Sequence, residues 1–149
     1  MIAYRITLTK WAGQLTPSGR AARWNSNGHF VVYTAGSRAL ACLENMVHRR
    51  SIGADDLFRV TLIAVPDDLK IKKIDKKELP ADWQEYERYA FCQLIGDTWL
   101  KENTTAVLRV PSAIIPEEFN YLINPRHPDF KRIKVHSTEP FGFDERLLR

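Results

Sequence analysis

Cysteine is scarce in this 149-residue chain: Cys42 and Cys92 stand far apart, in no metal-like spacing, each inside a helix-like apolar pattern. A chain of this length buries enough surface to need no covalent staples. The two read as reduced structural thiols, and nothing in their spacing supports a bridge. No apolar run approaches the roughly 18 residues that a membrane span requires. The start, Met1-Ile2-Ala3-Tyr4-Arg5, lacks both the basic opening and the apolar stretch of a signal peptide. The cytoplasm is therefore the expected location, with no membrane partner.

Other absences narrow the chemistry. No GxGxxG follows a strand, and βα units do not alternate, which argues against a dinucleotide-binding Rossmann domain. Ser112 is not framed by GxSxG, so a nucleophile elbow is not expected. His29, His48, His127 and His136 show neither HxxxH nor Cys/His spacing, which speaks against zinc or another bound metal. Repeats and low-complexity tracts are missing too. Charge of one sign is never concentrated. The net charge is +4, but the lysines from Lys70 to Lys77 alternate with Asp67, Asp68, Asp75 and Glu78. Their field largely cancels, so this stretch reads as a solvated loop or strand edge, with no direct nucleic-acid contact.

What remains is an ordinary globular composition, 44% hydrophobic and 27% charged, of single-domain size, read as one domain over residues 1–149. Strands are expected over Ile2–Leu8, Phe30–Thr34, Phe58–Val65 and Ala106–Val110, with a weak last strand at Ile133–His136. Thr16-Pro17-Ser18-Gly19 reads as a turn. Ser37 is placed to cap a helix running to about Arg50, with Ala39, Leu40, Cys42, Leu43, Met46 and Val47 on its apolar face. One or two helices, interrupted near Gly96, are expected between Pro80 and Asn103. Pro66–Trp83 reads as an internal connection. Short strands mixed with few helices predict an α+β fold with a mixed or mostly antiparallel sheet.

Three places could carry chemistry. The run Arg23-Trp24-Asn25-Ser26-Asn27-Gly28 packs a forked cation, a flat indole and a flexible turn into one loop. Glu44 lies at the border of the helix's apolar face, where it is either a surface acid paired with His48 one turn on or an acid half-sunk in a cleft. Ser112 falls just past a strand end, where a serine most often caps a turn. Asn120 and Asn124 sit in a segment dense in amides and prolines, with a structural role as the plain reading.

Taken together, these residues resemble the RES-domain toxins of bacterial RES–Xre toxin–antitoxin pairs, a family named for an Arg, a Glu and a Ser. Arg23, Glu44 and Ser112 look like those three. Tyr4-Arg5, Tyr33-Thr34-Ala35, Ala39-Leu40-Ala41, Asp82-Trp83, Gly96-Asp97 and the stretch Asn120 to Pro128 follow in family order across nearly the whole chain. One departure is Ala21-Ala22, where family members usually carry Gly-Gly. The resemblance implies a fold similar to ADP-ribosyltransferases, with a split, mainly antiparallel sheet and flanking helices. It implies cleavage of the nicotinamide–ribose bond of NAD by phosphorolysis or hydrolysis, or alternatively ADP-ribosylation of a protein. NAD would be the substrate, inorganic phosphate a possible co-substrate, and no cofactor is required. In the roles it implies, Arg23 and Arg5 bind the pyrophosphate and Tyr33 packs on nicotinamide. Glu44 stabilises the developing positive charge, and Ser112 orients the ribose or the incoming nucleophile. Asn120 and Asn124 complete the hydrogen bonding. The implied partner is an Xre-type helix-turn-helix antitoxin, in a homodimer or larger toxin–antitoxin assembly. An RNA-cleaving toxin and a non-enzymatic binding module stand as weaker alternatives.

Overall fold

A computed structural model describes residues 1–49 and 57–148. Seven strands form one sheet in the order β4-β5-β6-β2-β1-β3-β7. They are β1 (Ile2–Leu8), β2 (Val32–Ala35), β3 (Phe58–Ala64), β4 (Ile71–Lys73), β5 (Val107–Pro111), β6 (Phe119–Ile123) and β7 (Lys134–Phe141). Among the described residues, only β4 and β5 run parallel; every other neighbouring pair is antiparallel. The helices are α1 (Arg38–His48) and α2 (Tyr89–Glu102).

The sheet is split. β1 pairs with β3 along its whole length, but with β2 it shares only the register Tyr4↔Ala35. β2 instead pairs along its length with β6. Strands that meet at one point and then diverge leave backbone and side chains on either side of a gap, the kind of concavity in which ligands bind. One side of the split has its core around Trp24, Trp83, Trp99, Leu108 and Leu122. The other is built from Ile6, Leu40, Phe58 and Val60. A third cluster, with Val32, Ile63, Val107 and Ile123, covers the opposite face. The alternation along β2, with Val32 on one face and Tyr33 on the other, follows from the period of two in strands.

Several expectations are corrected. α2 runs unbroken through Gly96, which is buried inside it. Gly96 is required by a close approach, because a Cβ there would lie 1.6 Å from the carbonyl oxygen of Trp24. β4 and β6 form in stretches read as connection and amide-rich loop. β6 is stabilised by ladders to β5 and β2 on both its edges, so pairing outweighs the weak local preference of its asparagine. The last strand is longer than expected, reaching Phe141, because it follows β3 through a register shift at Leu62/Ile63. Residues 16–19 are irregular backbone, not a regular turn. Ser37 caps α1 as expected, its side chain accepting from the Leu40 N–H. Ala39 and Val47 are nevertheless exposed, and Leu40 and Ala41 are the buried residues of that helix. Arg50, the expected end of α1, lies outside the described residues. Cys42 and Cys92 are both free thiols. Among the described residues, no helix is long and apolar enough to cross a membrane.

Candidate active site

α1 turns Ala41, Glu44, Asn45 and His48 toward the split in the sheet. Their spacing of three and four residues puts them on one helix stripe. Glu44 is the centre of the arrangement. Its Oε1 accepts from Ser112 Oγ at 2.9 Å and from Asn120 Nδ2 at 2.6 Å, while His48 Nε2 stands 3.6 Å from Oε2. Ser112 follows β5 and Asn120 lies on β6, so two strands of one hairpin hold a carboxylate delivered by a helix. Burial pushes the Glu44 carboxyl up. The contacts from His48, Asn120 and Ser112 together outweigh it, and the group lies below the usual glutamate range. Both sequence readings of Glu44 thus hold at once: it pairs with His48 one turn on, and it is half-sunk in a cleft.

That cleft has a volume of about 340 Å³ and is lined from β1 by Tyr4–Thr7, from β2 by Tyr33–Ala35, and from α1 and its C-cap by Glu44, Asn45, His48 and Arg49, with Asn120 beside them. Arg5 reaches from β1 to donate to the carbonyls of Gln14 (3.3 Å) and Thr16 (3.2 Å), and burial lowers its pKa. The Tyr33 hydroxyl donates to Asn25 Oδ1 and accepts from the Trp24 N–H. Burial pushes the Tyr33 hydroxyl well above the usual phenol range. Arg5 and Arg49 thus line the same space as the Glu44 carboxylate, the Arg5 guanidinium tied to the Gln14 and Thr16 carbonyls and the Arg49 guanidinium 3.8 Å from the ring centre of Phe58. The combination suits a ligand with an anionic portion and a centre that becomes positive.

Of the sequence-singled residues, Arg5, Tyr33, Glu44 and Asn120 line this cleft and Arg23, Ser112 and Asn124 do not. Ser112 is fully buried. Its hydroxyl proton goes to Glu44 and its oxygen accepts the N–H groups of Ile114 and Ile115, each at 3.1 Å. Its hydrogen-bonding capacity is used up within the protein. Arg23 donates to the carbonyls of Trp83 (2.9 Å) and Gln84 (2.8 Å), and its guanidinium lies 4.5 Å from the ring centre of Tyr89. Gln84 in turn donates to the carbonyl of Ala113, next to Ser112. Asn124 donates to Asn103 Oδ1 and accepts from the Arg126 N–H, tying β6 to the left-handed cap of α2.

The loop itself is held by Asn25, whose Nδ2 donates to the carbonyls of Arg20 and His29, and by Trp24, buried against Trp83. Ala21 and Ala22 adopt no positive φ; among the described non-glycine residues only Asn103 does. Alanine is therefore unstrained in this loop. Asn45, His48 and Arg49 line the cleft although no sequence motif marks them as cleft residues. The polar spacing Glu44, Asn45 and His48 beside Ala41 is the signal that could have found the first two.

A family model for the RES domain matches residues 2–144. The chain belongs to the RES domain family. It is 40% identical over 129 residues to the "Prs ADP-ribosylating toxin" of Sphingobium sp. (strain YBL2), covering 85% of this chain and 80% of that protein. It is 34% identical over 154 residues to a "Toxin Res" of Yersinia enterocolitica, covering 99% of each. A "Toxin Res" of Photorhabdus laumondii is 36% identical over 158 residues, covering 100% of this chain and 98% of that one. A chain in the crystal structure of the M. tuberculosis MbcT–MbcA toxin–antitoxin complex superposes with a TM-score of 0.74, over 94% of this chain and 83% of that one. At 18% identity this likeness concerns the fold. The RES-domain resemblance and the α+β, ADP-ribosyltransferase-like fold read from the sequence are both borne out.

Proposed function

We propose that this RES domain is the toxin of a toxin–antitoxin pair and that its split-sheet cleft cleaves the nicotinamide–ribose bond of NAD. The observation that carries the reading is the Glu44 carboxylate, kept ionised by His48, Asn120 and Ser112 at the wall of a cleft also lined by Arg5 and Arg49. In NAD the leaving group is already cationic, so little acid catalysis is required. The glycosidic bond breaks with its electron pair moving to the nicotinamide nitrogen, and the ribose carbon becomes oxocarbenium-like. Glu44 stabilises that charge and accepts from a ribose hydroxyl. Arg5, held by the Gln14 and Thr16 carbonyls, supplies positive charge for the diphosphate, and Tyr33 packs against nicotinamide. Asn120 holds the carboxylate. An oxygen nucleophile then bonds to the ribose carbon from the opposite face and loses its proton to solvent. Ser112 acts through Glu44, and Arg23 acts through the Trp83–Gln84 segment.

Phosphate or water as nucleophile would deplete NAD; a protein side chain would receive ADP-ribose. The second reading is favoured by the 40% identity to a relative named an ADP-ribosylating toxin. An antitoxin partner, of the helix-turn-helix kind implied by the sequence, is supported by the toxin–antitoxin complex that shares the fold. One experiment separates the outcomes. Purified protein is incubated with NAD labelled in the adenosine half, with and without phosphate and with a cell extract. Free ADP-ribose or its 1-phosphate supports depletion; label retained on protein supports transfer. NAD left intact under all three conditions overturns the proposal.

A further inference from the structure

A second cavity, of about 470 Å³, lies between α2, the segment before β2 and the end of β6, and it shares no lining residue with the cleft at Glu44. Its walls include His29, Phe30, Lys101 and Arg126. Asp97 is the one acid among its lining residues, and it is already engaged. Both its oxygens take Ser26, one from the backbone N–H at 3.0 Å and the other from the hydroxyl. That hydroxyl has a single proton, so the His29 Nδ1 atom 2.9 Å away must donate to it, which leaves Nε2 as the ring's remaining hydrogen-bonding atom. Lys101 and Arg126 have no acidic partner among the described residues. The Arg126 guanidinium instead sits 5.9 Å from the ring centre of Phe30, a ring that remains 40% exposed. The cavity thus combines two unneutralised cations and an imidazole with an open aromatic face. Its size falls within the range of small-molecule sites.

We propose that this cavity is a second, non-catalytic ligand site for a nucleoside phosphate, with Lys101 and Arg126 on the phosphate and the base stacked on Phe30. A fork and an ammonium together match phosphate oxygens, and a base stacks on an arginine-capped ring independently of its sequence of substituents. Neither feature alone selects the ligand class: inorganic phosphate would leave Phe30 unused, and a nucleoside would leave the cations unused.

Calorimetric titration with AMP, adenosine and inorganic phosphate tests this on four proteins: the wild type, the double variant Lys101→Ala/Arg126→Ala, Phe30→Ala and Arg5→Ala. AMP is expected to keep, in Arg5→Ala, a binding step that the double variant loses or shows about tenfold or more weakened. Adenosine and phosphate should each bind more weakly than AMP, and Phe30→Ala should reduce AMP affinity while leaving phosphate unchanged. Both replaced cations are exposed side chains, and an unchanged melting temperature establishes that the double variant is folded. AMP affinity equal in the wild type and the double variant overturns the proposal. So does loss of AMP binding in Arg5→Ala, which would place the nucleotide in the other cleft, or absence of binding to the wild type. Phosphate binding as tight as AMP would reduce the site to an adventitious ion only and also overturn it.

Discussion

Ser112 Oγ donates to Glu44 Oε1 at 2.9 Å while its own lone pairs receive the N–H groups of Ile114 and Ile115. The hydroxyl is therefore a fixed donor aimed at the carboxylate. Ser112→Ala should leave Asn120 as the single close donor to Glu44 Oε1. We expect turnover of NAD to fall about tenfold to a hundredfold, with little change in KM, because the contact acts on charge stabilisation and not on binding. A KM-dominated loss would instead place Ser112 against the substrate.

The partners of Glu44, His48 first and then Asn120 and Ser112, set a pH dependence. Hydrogen bonds from His48, Asn120 and Ser112 outweigh burial and hold the folded-state Glu44 pKa below that of an unperturbed glutamate. Because the folded pKa is the lower one, the stabilisation from its partners is fully present above that unfolded value. It is lost as pH falls through the folded pKa. The acid limb of the activity profile should lie below the ordinary glutamate range, and in Ser112→Ala or Asn120→Ala it should move upward. A limb unmoved in both variants would show that Glu44 is not the group titrating.

Replacing the carboxylate itself should be more severe. Glu44→Gln keeps the shape and an acceptor for Ser112 but removes the charge, so activity should fall by about two to three orders of magnitude. The variant should remain folded with a modestly lowered melting temperature, because neutralising Glu44 forfeits the stabilisation its partners give the carboxylate. Wild-type NAD consumption by the purified variant would remove Glu44 from the mechanism.

Arg23 offers a test of the loop. A lysine has one nitrogen to offer where the guanidinium reaches both Trp83 O and Gln84 O and stacks on Tyr89. Arg23→Lys should lower stability by about 1–3 kcal/mol in denaturant unfolding as well as lowering activity. Loss of activity with unaltered stability would argue for direct contact with the pyrophosphate.

Gly96→Ala tests the packing that places this loop. The added methyl would collide with the Trp24 carbonyl, which is backbone and cannot swing aside. A destabilisation of about 3 kcal/mol or more is expected, read as a drop in melting temperature. An alanine variant as stable as the wild type would mean that the loop yields easily.

Much of this architecture is written locally. The alternation in Ile2–Leu8, the Ser37 cap and the apolar strand from Phe58 are short-range signals, and all three elements form close to where the sequence places them. β4 carries no such signal: it is three residues long and exists through its parallel ladder with β5. The face of α1 was only partly legible, because its apolar positions span a broad arc. Which of them are buried depends on how the helix is rotated against β1 and β2. That rotation exposes Ala39 and Val47 and turns Glu44, Asn45 and His48 to the cleft.

By itself, the sequence determined which groups were on offer: one carboxylate at a helix border, arginines in the first strand and the loop, a serine after a strand, and the motif order that marks a RES domain. Tertiary structure decided which of these meet. Glu44 takes its donors from residues 68 and 76 positions further along the chain, a distance over which no local pattern specifies contact. It also placed Arg23 and Ser112 outside the cleft lining, Arg23 on the carbonyls of Trp83 and Gln84 and Ser112 with its proton on Glu44. A residue type states what bonds a side chain can make; packing against distant segments states which ones it has left for a ligand.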